Sequence, residues 1–183
     1  MSLSLSGTAG VTYPDGSVAA VAVPAGSVVQ VVSTTKTDSF TVASTSYTDI
    51  TGLSVTLTPS SASNKLLIFG FVSAYPTTSD ASLNLAIDVN GSTVGSGAAA
   101  GSRSTAHTGY GYDNSSQGLY RMVPLAFNYL YSLASSSSHT VKIRIMNGDT
   151  QNNTLYVNRS QDDGDFSYNT RQVSTITVME IKA

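Results

Sequence analysis

The amino-acid sequence predicts an all-β protein, and three observations support that prediction. Only 11% of the 183 residues are Asp, Glu, Lys or Arg, against about 25% in an average globular protein, so Ser, Thr, Asn and Gly supply most of the polar surface. Short apolar runs recur at intervals of about 8–20 residues, separated by turn-forming residues. No segment shows a sustained helical period with caps at its ends.

The candidate strands begin at residue 28. A jelly-roll-like antiparallel β-sandwich fits their number and the chain length best. An immunoglobulin-like sandwich is the second choice, because the chain is long for one and has no Cys and no Trp. The predicted strands, the seventh of which is long enough for two, are Val28–Ser33, Asp38–Val42, Tyr47–Ile50, Ser54–Thr58, Lys65–Tyr75, Leu83–Val89, Leu119–Leu133, Thr140–Met146, Leu155–Arg159 and Ser174–Lys182.

Alternation of apolar and polar residues assigns faces in two of these strands. In Leu83–Val89 the odd-numbered residues are aliphatic, and the even-numbered ones are Asn, Ala and Asp. In residues 141–145, Val and Ile alternate with Lys142 and Arg144. Period two predicts one face in a core and the other in water. The Asn-Gly pair at 90–91 predicts a hairpin turn, because both residues tolerate positive φ.

Two segments are apolar on both faces. One is Leu66–Phe69, and the other is the last strand, in which Ile176 and Val178 face one way and Met179 and Ile181 the other. A strand that is apolar on both sides needs a second partner besides the core. These four residues of the last strand are the candidate subunit interface, and the sparse charge favours a closed cyclic oligomer.

Residues 1–27 are predicted to form an extended N-terminal arm, and residues 28–183 the sandwich domain. The arm contains turn signals at 14–16 and 24–26 but few large apolar residues, so it would become ordered against a partner. It lacks the basic start and apolar stretch of a signal peptide. No apolar run reaches the roughly 18 residues of a spanning helix, so we expect no membrane insertion.

No residue pattern predicts catalysis or a cofactor. His107 and His139 are the only histidines, whereas a zinc site needs three or four ligands. The acidic run Asp162-Asp163-Gly164-Asp165 departs from the EF-hand spacing, which favours a solvated loop, although cation binding stays open. Nucleophile-elbow and dinucleotide motifs are missing. No basic cluster is present, so no nucleic-acid partner is expected.

The aromatic residues suggest one recognition site. The chain has ten Tyr and no Trp, and Tyr110 and Tyr112 lie in a Gly-rich stretch that continues to Asn114. Exposed Tyr in Gly/Ser/Asn loops is typical of adaptable recognition surfaces, and such rings can stack on sugars, so a host surface glycan is the candidate ligand. A surface loop with incidental Tyr is the equal alternative. The aromatic residues of 127–131 share one strand face and predict packing.

Several stretches resemble bacteriophage virion proteins. The segment 10–20 resembles the "hydrophobic–PDG–Ser/Thr–Val" motif common in phage tail-fibre proteins. Residues 28–38 and 47–68 resemble a β-domain of many marine and cyanobacterial phage structural proteins, and 156–160 and 176–181 continue the likeness. The resemblance implies a homotrimeric jelly-roll head on an N-terminal segment that binds capsid or tail proteins. The attachment residues would be Tyr13, Pro14, Asp15 and Gly16.

The expected function is therefore that of a non-enzymatic structural protein on the virion surface, made in the host cytoplasm and released by lysis. The chain is short and has no coiled-coil or β-helical shaft, which favours a capsid decoration protein, head fibre or compact tail fibre. The particle position and any host receptor stay open. The alternative is a freestanding, lectin-like carbohydrate-binding module.

Overall fold

The computed structural model of the chain describes residues 4–6, 10–12, 18–19, 23–76, 82–111, 121–148 and 153–183. These residues contain fourteen strands and no helix, which confirms the all-β prediction. The strands are β1 (Ser4–Ser6), β2 (Gly10–Thr12), β3 (Val18–Ala19), β4 (Val28–Lys36), β5 (Phe40–Val42), β6 (Thr48–Leu57), β7 (Lys65–Pro76), β8 (Leu83–Val89), β9 (Ser92–Val94), β10 (Thr108–Tyr110), β11 (Val123–Ser132), β12 (His139–Asn147), β13 (Leu155–Val157) and β14 (Ser174–Ile181).

Eight of these strands form two antiparallel sheets that pack face to face as a sandwich. Sheet I has the order β4-β14-β7-β11, and sheet II has the order β6-β12-β8-β10. Numbered along the chain, the eight strands lie in the orders first-eighth-third-sixth and second-seventh-fourth-fifth. This is the strand order of a jelly roll, which is built from two Greek keys. The fold-class prediction is confirmed.

The other strands extend or precede the sandwich. β9 pairs with the same edge of β8 as β10 does, further along the strand. In sheet I, β13 pairs with the same edge of β7 as β14 does, and it also pairs with β5. Strands β1, β2 and β3 fall within the predicted arm and pair with one another in antiparallel order. Sequence periodicity missed β9, β10 and these three strands, which are only two or three residues long. β5 and β13 are as short, but they lie within the longer predicted segments Asp38–Val42 and Leu155–Arg159.

Two predicted strands, Tyr47–Ile50 and Ser54–Thr58, are one strand, β6. Its pairing with β12 shifts register between Lys142 and Arg144, and the intervening Gly52 has a φ of +82°. Glycine adopts this conformation without steric penalty, so the strand bulges here without ending. The two short segments that the sequence predicts as separate strands are therefore parts of one strand, which is interrupted by a bulge.

The core lies between the two sheets and consists of aliphatic side chains. In β12, Val141, Ile143 and Ile145 are at most 1% exposed, while Lys142 and Arg144 are partly exposed, which confirms the predicted alternation. The largest of the fully buried aliphatic side chains are Leu53, Leu66, Ile68, Val72, Leu83, Leu85, Ile87, Ile143, Ile145, Leu155 and Ile176.

Strand β8 confirms one half of its prediction and contradicts the other. Its odd-numbered residues are in the core, but Ala86 and Asp88 on the opposite face are also buried. The hydroxyl of Tyr47, beside β6, donates to the carbonyl of Thr105 at 2.7 Å, and Thr105 precedes β10 at the other edge of sheet II. The segment 95–106 therefore reaches over part of the outer face, while Lys142 and Asp49 on that face stay partly exposed. The predicted turn at Asn90-Gly91 is confirmed, with φ values of 52° and 86°.

Candidate subunit interface and surface sites

The outer face of sheet I carries large apolar side chains on all four strands. One cross-strand row contains Val31, Met179, Leu67 and Leu130, in the order β4, β14, β7, β11. The next two rows place Phe69 and Phe71 on β7 beside Thr, Ser, Asn and Ala residues. We call this surface the apolar face, and define it by Val28, Val31, Leu67, Phe69, Phe71, Ala126, Leu130, Met179 and Ile181.

Exposure and charge distinguish this face from an ordinary solvated one. Val31 and Leu130, at its two edges, are 52% and 50% exposed, and the central Leu67, Phe69 and Met179 are partly exposed. On the outward positions of β4, β14, β7 and β11, Lys65 is the one charged residue, and it lies at one end. Depletion of charge with enrichment of large apolar residues is typical of the core of a protein interface.

The size of the face is consistent with an interface. Four strands about 4.8 Å apart and seven residues with a rise of about 3.3 Å cover roughly 400 Å² before side-chain relief. The largest apolar patch on a monomer is itself about 300–600 Å² and is often functional. A standard interface buries about 800 Å² per partner, including a polar rim. The apolar face would therefore supply the centre of such an interface.

The structure separates the four residues predicted for the interface into two pairs. Ile176 and Val178 are 0% exposed and lie between the two sheets, so a neighbouring chain has no access to them. Met179 and Ile181 lie on the apolar face next to Leu67 and Lys65 of β7. Their contact with another subunit stays a prediction.

Beneath the apolar face lies a buried carboxylate that sequence reasoning missed. Glu180 is 0% exposed, and one of its oxygens accepts hydrogen bonds from the Asn64 amide at 2.6 Å and the Ser60 hydroxyl at 2.7 Å. The Ser60 backbone N–H donates to the same oxygen at 2.8 Å, and the Gln30 amide donates to the other at 2.6 Å. Glu180 thereby joins β4, β14 and the β6–β7 turn.

The hydrogen bonds decide the ionisation state of this group. Burial raises the pKa of the Glu180 carboxyl, but the donors from Asn64, Gln30 and Ser60 outweigh it and lower the pKa to about 2. The sequence did contain a signal, because Glu180 shares the inward parity of Ile176 and Val178. A lone glutamate at an inward position of a terminal strand predicts a satisfied buried carboxylate.

The predicted recognition and attachment residues lie mostly outside the described residues. Tyr110 is the last residue of strand β10 and so does not lie in a loop. The centroid of its ring lies 5.2 Å from the Arg121 guanidinium. Tyr112 and Asn114 lie outside the described residues, as do the arm residues Tyr13, Pro14, Asp15 and Gly16. Of the aromatic residues in 127–131, Phe127 is 4% exposed, and the tyrosines pack against the core, as predicted.

The acidic run 162–165 uses two of its carboxylates within the protein. Asp163 pairs with Arg171 and lies 3.8 Å from Arg159, and Asp162 accepts the Gly164 backbone N–H at 3.0 Å. Within the described ranges, no three His, Asp or Glu side chains are grouped so that they could hold a metal ion. The same part of the chain contains no helix long and apolar enough to cross a membrane.

Comparisons with known proteins yield structural likenesses alone. No protein-family model and no curated protein matches the chain. Among solved structures, a chain of the infectious bursal disease virus Gx strain is 16% identical with a TM-score of 0.42, and the alignment covers 100% of this chain and 46% of that one. The VP2 subviral particle of the same virus is 15% identical with a TM-score of 0.39, and the alignment covers 84% and 38%.

A third match, the Gt strain of this virus, is 16% identical with a TM-score of 0.38, and the alignment covers 100% of this chain and 47% of that one. This chain therefore spans less than half the length of these viral capsid proteins. The jelly-roll assignment rests on the order of the strands in the two sheets, and not on these likenesses.

Proposed function

We propose that this protein is a non-enzymatic structural protein of the bacteriophage particle surface, in which three copies associate through the apolar face. The apolar face is the observation that carries the proposal. A jelly roll already buries the inner faces of both sheets, so a further uncharged surface that spans four strands has no partner among the described strands of the sandwich. Association would remove this surface from water, and burial of apolar area contributes a favourable free energy of about 25 cal/mol for each Å².

The number of copies and the location follow from the resemblance to phage β-domains. That resemblance implies a homotrimer, in which a closed three-fold rotation would bring one part of the apolar face of each copy against a different part of the same face on the next copy, without forming a filament. The proposed role is that of a capsid decoration protein, head fibre or compact tail fibre. Its loops would face outward and either stabilise the particle or adhere to the host.

Attachment is assigned to residues 1–27, as a second part of the proposal. The last two residues of this segment are bonded to the sandwich, because the Gly26 N–H donates to the Lys182 carbonyl at 2.8 Å and the Lys182 N–H donates to the Ser27 carbonyl at 2.9 Å. The part of the arm proposed to bind a capsid or tail protein therefore precedes Gly26.

Add-back to phage particles grown without the native protein tests this function. Full-length protein should associate with such particles, and immunogold labelling should locate it on the capsid or the tail. A chain that starts at Val28 should fold and keep the oligomeric state but no longer associate. Association of the shortened chain would transfer attachment to the sandwich, and no association of the full chain would contradict a virion role and favour the freestanding lectin-like module.

A further inference from the structure

The connection from β13 to β14, residues 158–173, is a loop fixed by its own hydrogen bonds. The Gln172 N–H donates to the Asn158 carbonyl at 3.0 Å and closes the base of the loop. Within it, the Asn169 side-chain amide donates to the Gly164 carbonyl at 2.8 Å, and the Ser160 hydroxyl donates to the Asp162 carbonyl at 2.7 Å. Such a loop presents side chains in one arrangement, and so loses little conformational entropy when it binds.

Its base is anchored in the core. Asn158 is 1% exposed and has a φ of 64°. Its side chain accepts a hydrogen bond from the buried Ser174 hydroxyl at 2.6 Å and donates to the carbonyls of Lys36 and Asp38 at 2.9 and 3.0 Å. The loop is therefore held by the first residue of β14, by the last residue of β4 and by the segment that joins β4 to β5.

Two aromatic side chains project from this loop. Phe166 and Tyr168 are each 55% exposed, their ring centroids are 5.2 Å apart and their planes differ by 6°. They are the only aromatic residues among the exposed large hydrophobic side chains of the described ranges. A Cβ atom at Gly164 would lie 2.9 Å from Cε2 of Phe166, so glycine at this position lets the Phe166 ring lie across its own turn. We call Phe166 and Tyr168 the aromatic pair.

Charged groups from the same loop are paired with one another. The Arg171 guanidinium donates to the Asp163 carboxylate, and Arg159 lies 3.8 Å from the same carboxylate, with its guanidinium 4.2 Å from the centroid of Tyr156. Arg171 is exposed. A carboxylate accepts two hydrogen bonds side by side and a guanidinium donates two, which matches the spacing of vicinal hydroxyl groups.

We propose that the loop 158–173 is a carbohydrate-binding site, in which a pyranose ring stacks on the aromatic pair and its hydroxyl groups bond to Asp163 and Arg171. A pyranose presents C–H groups on its face and hydroxyl groups at its rim, which suits exposed aromatic rings and charged, bidentate groups that belong to the same loop. The net charge of −2 and the lack of a basic cluster argue against nucleic acid as the ligand. This site differs from the one predicted at Tyr110.

The inference extends the proposed function, because it names a ligand class and a site for host adhesion. Its test does not depend on a phage particle. A microarray of bacterial surface polysaccharides and their oligosaccharides, probed with the full-length chain, should show binding. Calorimetric titration with the strongest oligosaccharide should then show that Phe166→Ala and Tyr168→Ala each weaken binding about tenfold, which corresponds to about 1.4 kcal/mol.

Matched variants separate this site from its rivals. Tyr168→Phe keeps the ring and should keep the affinity within about twofold, and Tyr110→Ala should leave it unchanged. All variants should retain the circular dichroism spectrum and the mass of the parent protein. No binding on the array, or binding that Tyr110→Ala abolishes and Phe166→Ala does not change, would overturn the proposal. A change of oligomeric mass in Phe166→Ala would also overturn it, by assigning the aromatic pair to a contact between copies.

Discussion

The outer faces of the two sheets differ, although both sheets share one core. Sheet II carries charged residues on its outer face, where Asp49 pairs with Lys142 at 2.7 Å and with Arg144 at 3.1 Å, and Asp88 lies 3.8 Å from Arg144. A segment of the same chain, 95–106, lies over part of this face. Sheet I carries the apolar face. Inward and outward residues therefore alternate with period two in both sheets, but the outer face of sheet II is charged and that of sheet I is apolar.

This difference is the basis of the proposed assembly. Exposed ion pairs such as Lys142–Asp49 contribute little to stability, typically about 0–1 kcal/mol, but they keep the outer face of sheet II compatible with water. The apolar face contains no charged residue, and Lys65 lies at its end. We therefore expect sheet I, and not sheet II, to be covered by another chain.

The largest expected effect concerns the core that both sheets share. Ile143→Ala removes a side chain that is 1% exposed, and should lower the free energy of unfolding by about 2–5 kcal/mol. Lys142→Ala, one residue away on the outer face, should lower it by less than about 1 kcal/mol. Urea unfolding measures both variants. Equal, small effects would show that β12 faces the core differently.

The second effect concerns acid stability at the apolar face. The pKa of Glu180 is about 2 in the folded protein, below its value in the unfolded chain. Its ionised form therefore stabilises the fold at pH above about 4.5, and this contribution, about 3 kcal/mol, is lost as the pH falls towards 2.

Comparison with the Glu180→Gln variant isolates the contribution of the ionised carboxylate to stability, because the glutamine amide cannot ionise. The variant should be less stable than the parent protein at neutral pH, since the glutamine amide group would face the donors of Ser60 and Asn64. The difference in the free energy of unfolding should shrink between pH 4.5 and 2. A constant difference across this range would show that Glu180 is not ionised in the folded state.

The smallest effect sharpens the description of sheet II. Tyr47→Phe removes the hydrogen bond to the Thr105 carbonyl and should lower the free energy of unfolding by about 0.5–1.5 kcal/mol. The amide hydrogens of 95–106 should exchange faster, while those of β14 stay protected. Unchanged exchange in 95–106 would mean that other contacts hold this segment over sheet II.

The sequence predicted what is local and missed what depends on distant parts of the chain. Alternation in β12 and the Asn90-Gly91 turn reflect neighbouring residues and were predicted. Asp88 is buried where it accepts a hydrogen bond from the Gly91 N–H and lies beside Arg144 of the distant strand β12, so the solvent-facing prediction for that side of β8 was wrong. The order of strands in the sheets is set by non-local pairing, which periodicity does not encode.

The candidate site shows the same division. The last strand alone predicted that Met179 and Ile181 face away from Ile176 and Val178, but not which of the two pairs faces outward. The neighbours of Met179 and Ile181 on the apolar face, Leu67 of β7 and Leu130 of β11, were not predicted, because that grouping requires the register of β14 and β11 on β7. The aromatic pair at Phe166 and Tyr168 lies in a loop whose conformation depends on buried contacts at its base, and so it was missed as well.

The mass of the protein in solution tests the central claim most directly. Multi-angle light scattering of the parent protein should give about three times 19.0 kDa. Val31→Asp and Leu130→Asp place a charge at opposite edges of the apolar face, at side chains exposed enough to leave the single chain folded, and each should shift the mass towards 19.0 kDa. Thr93→Asp on β9 of sheet II is the control and should keep the parent mass. A parent protein that is monomeric at every concentration, or trimers that persist in both apolar-face variants, would contradict the account.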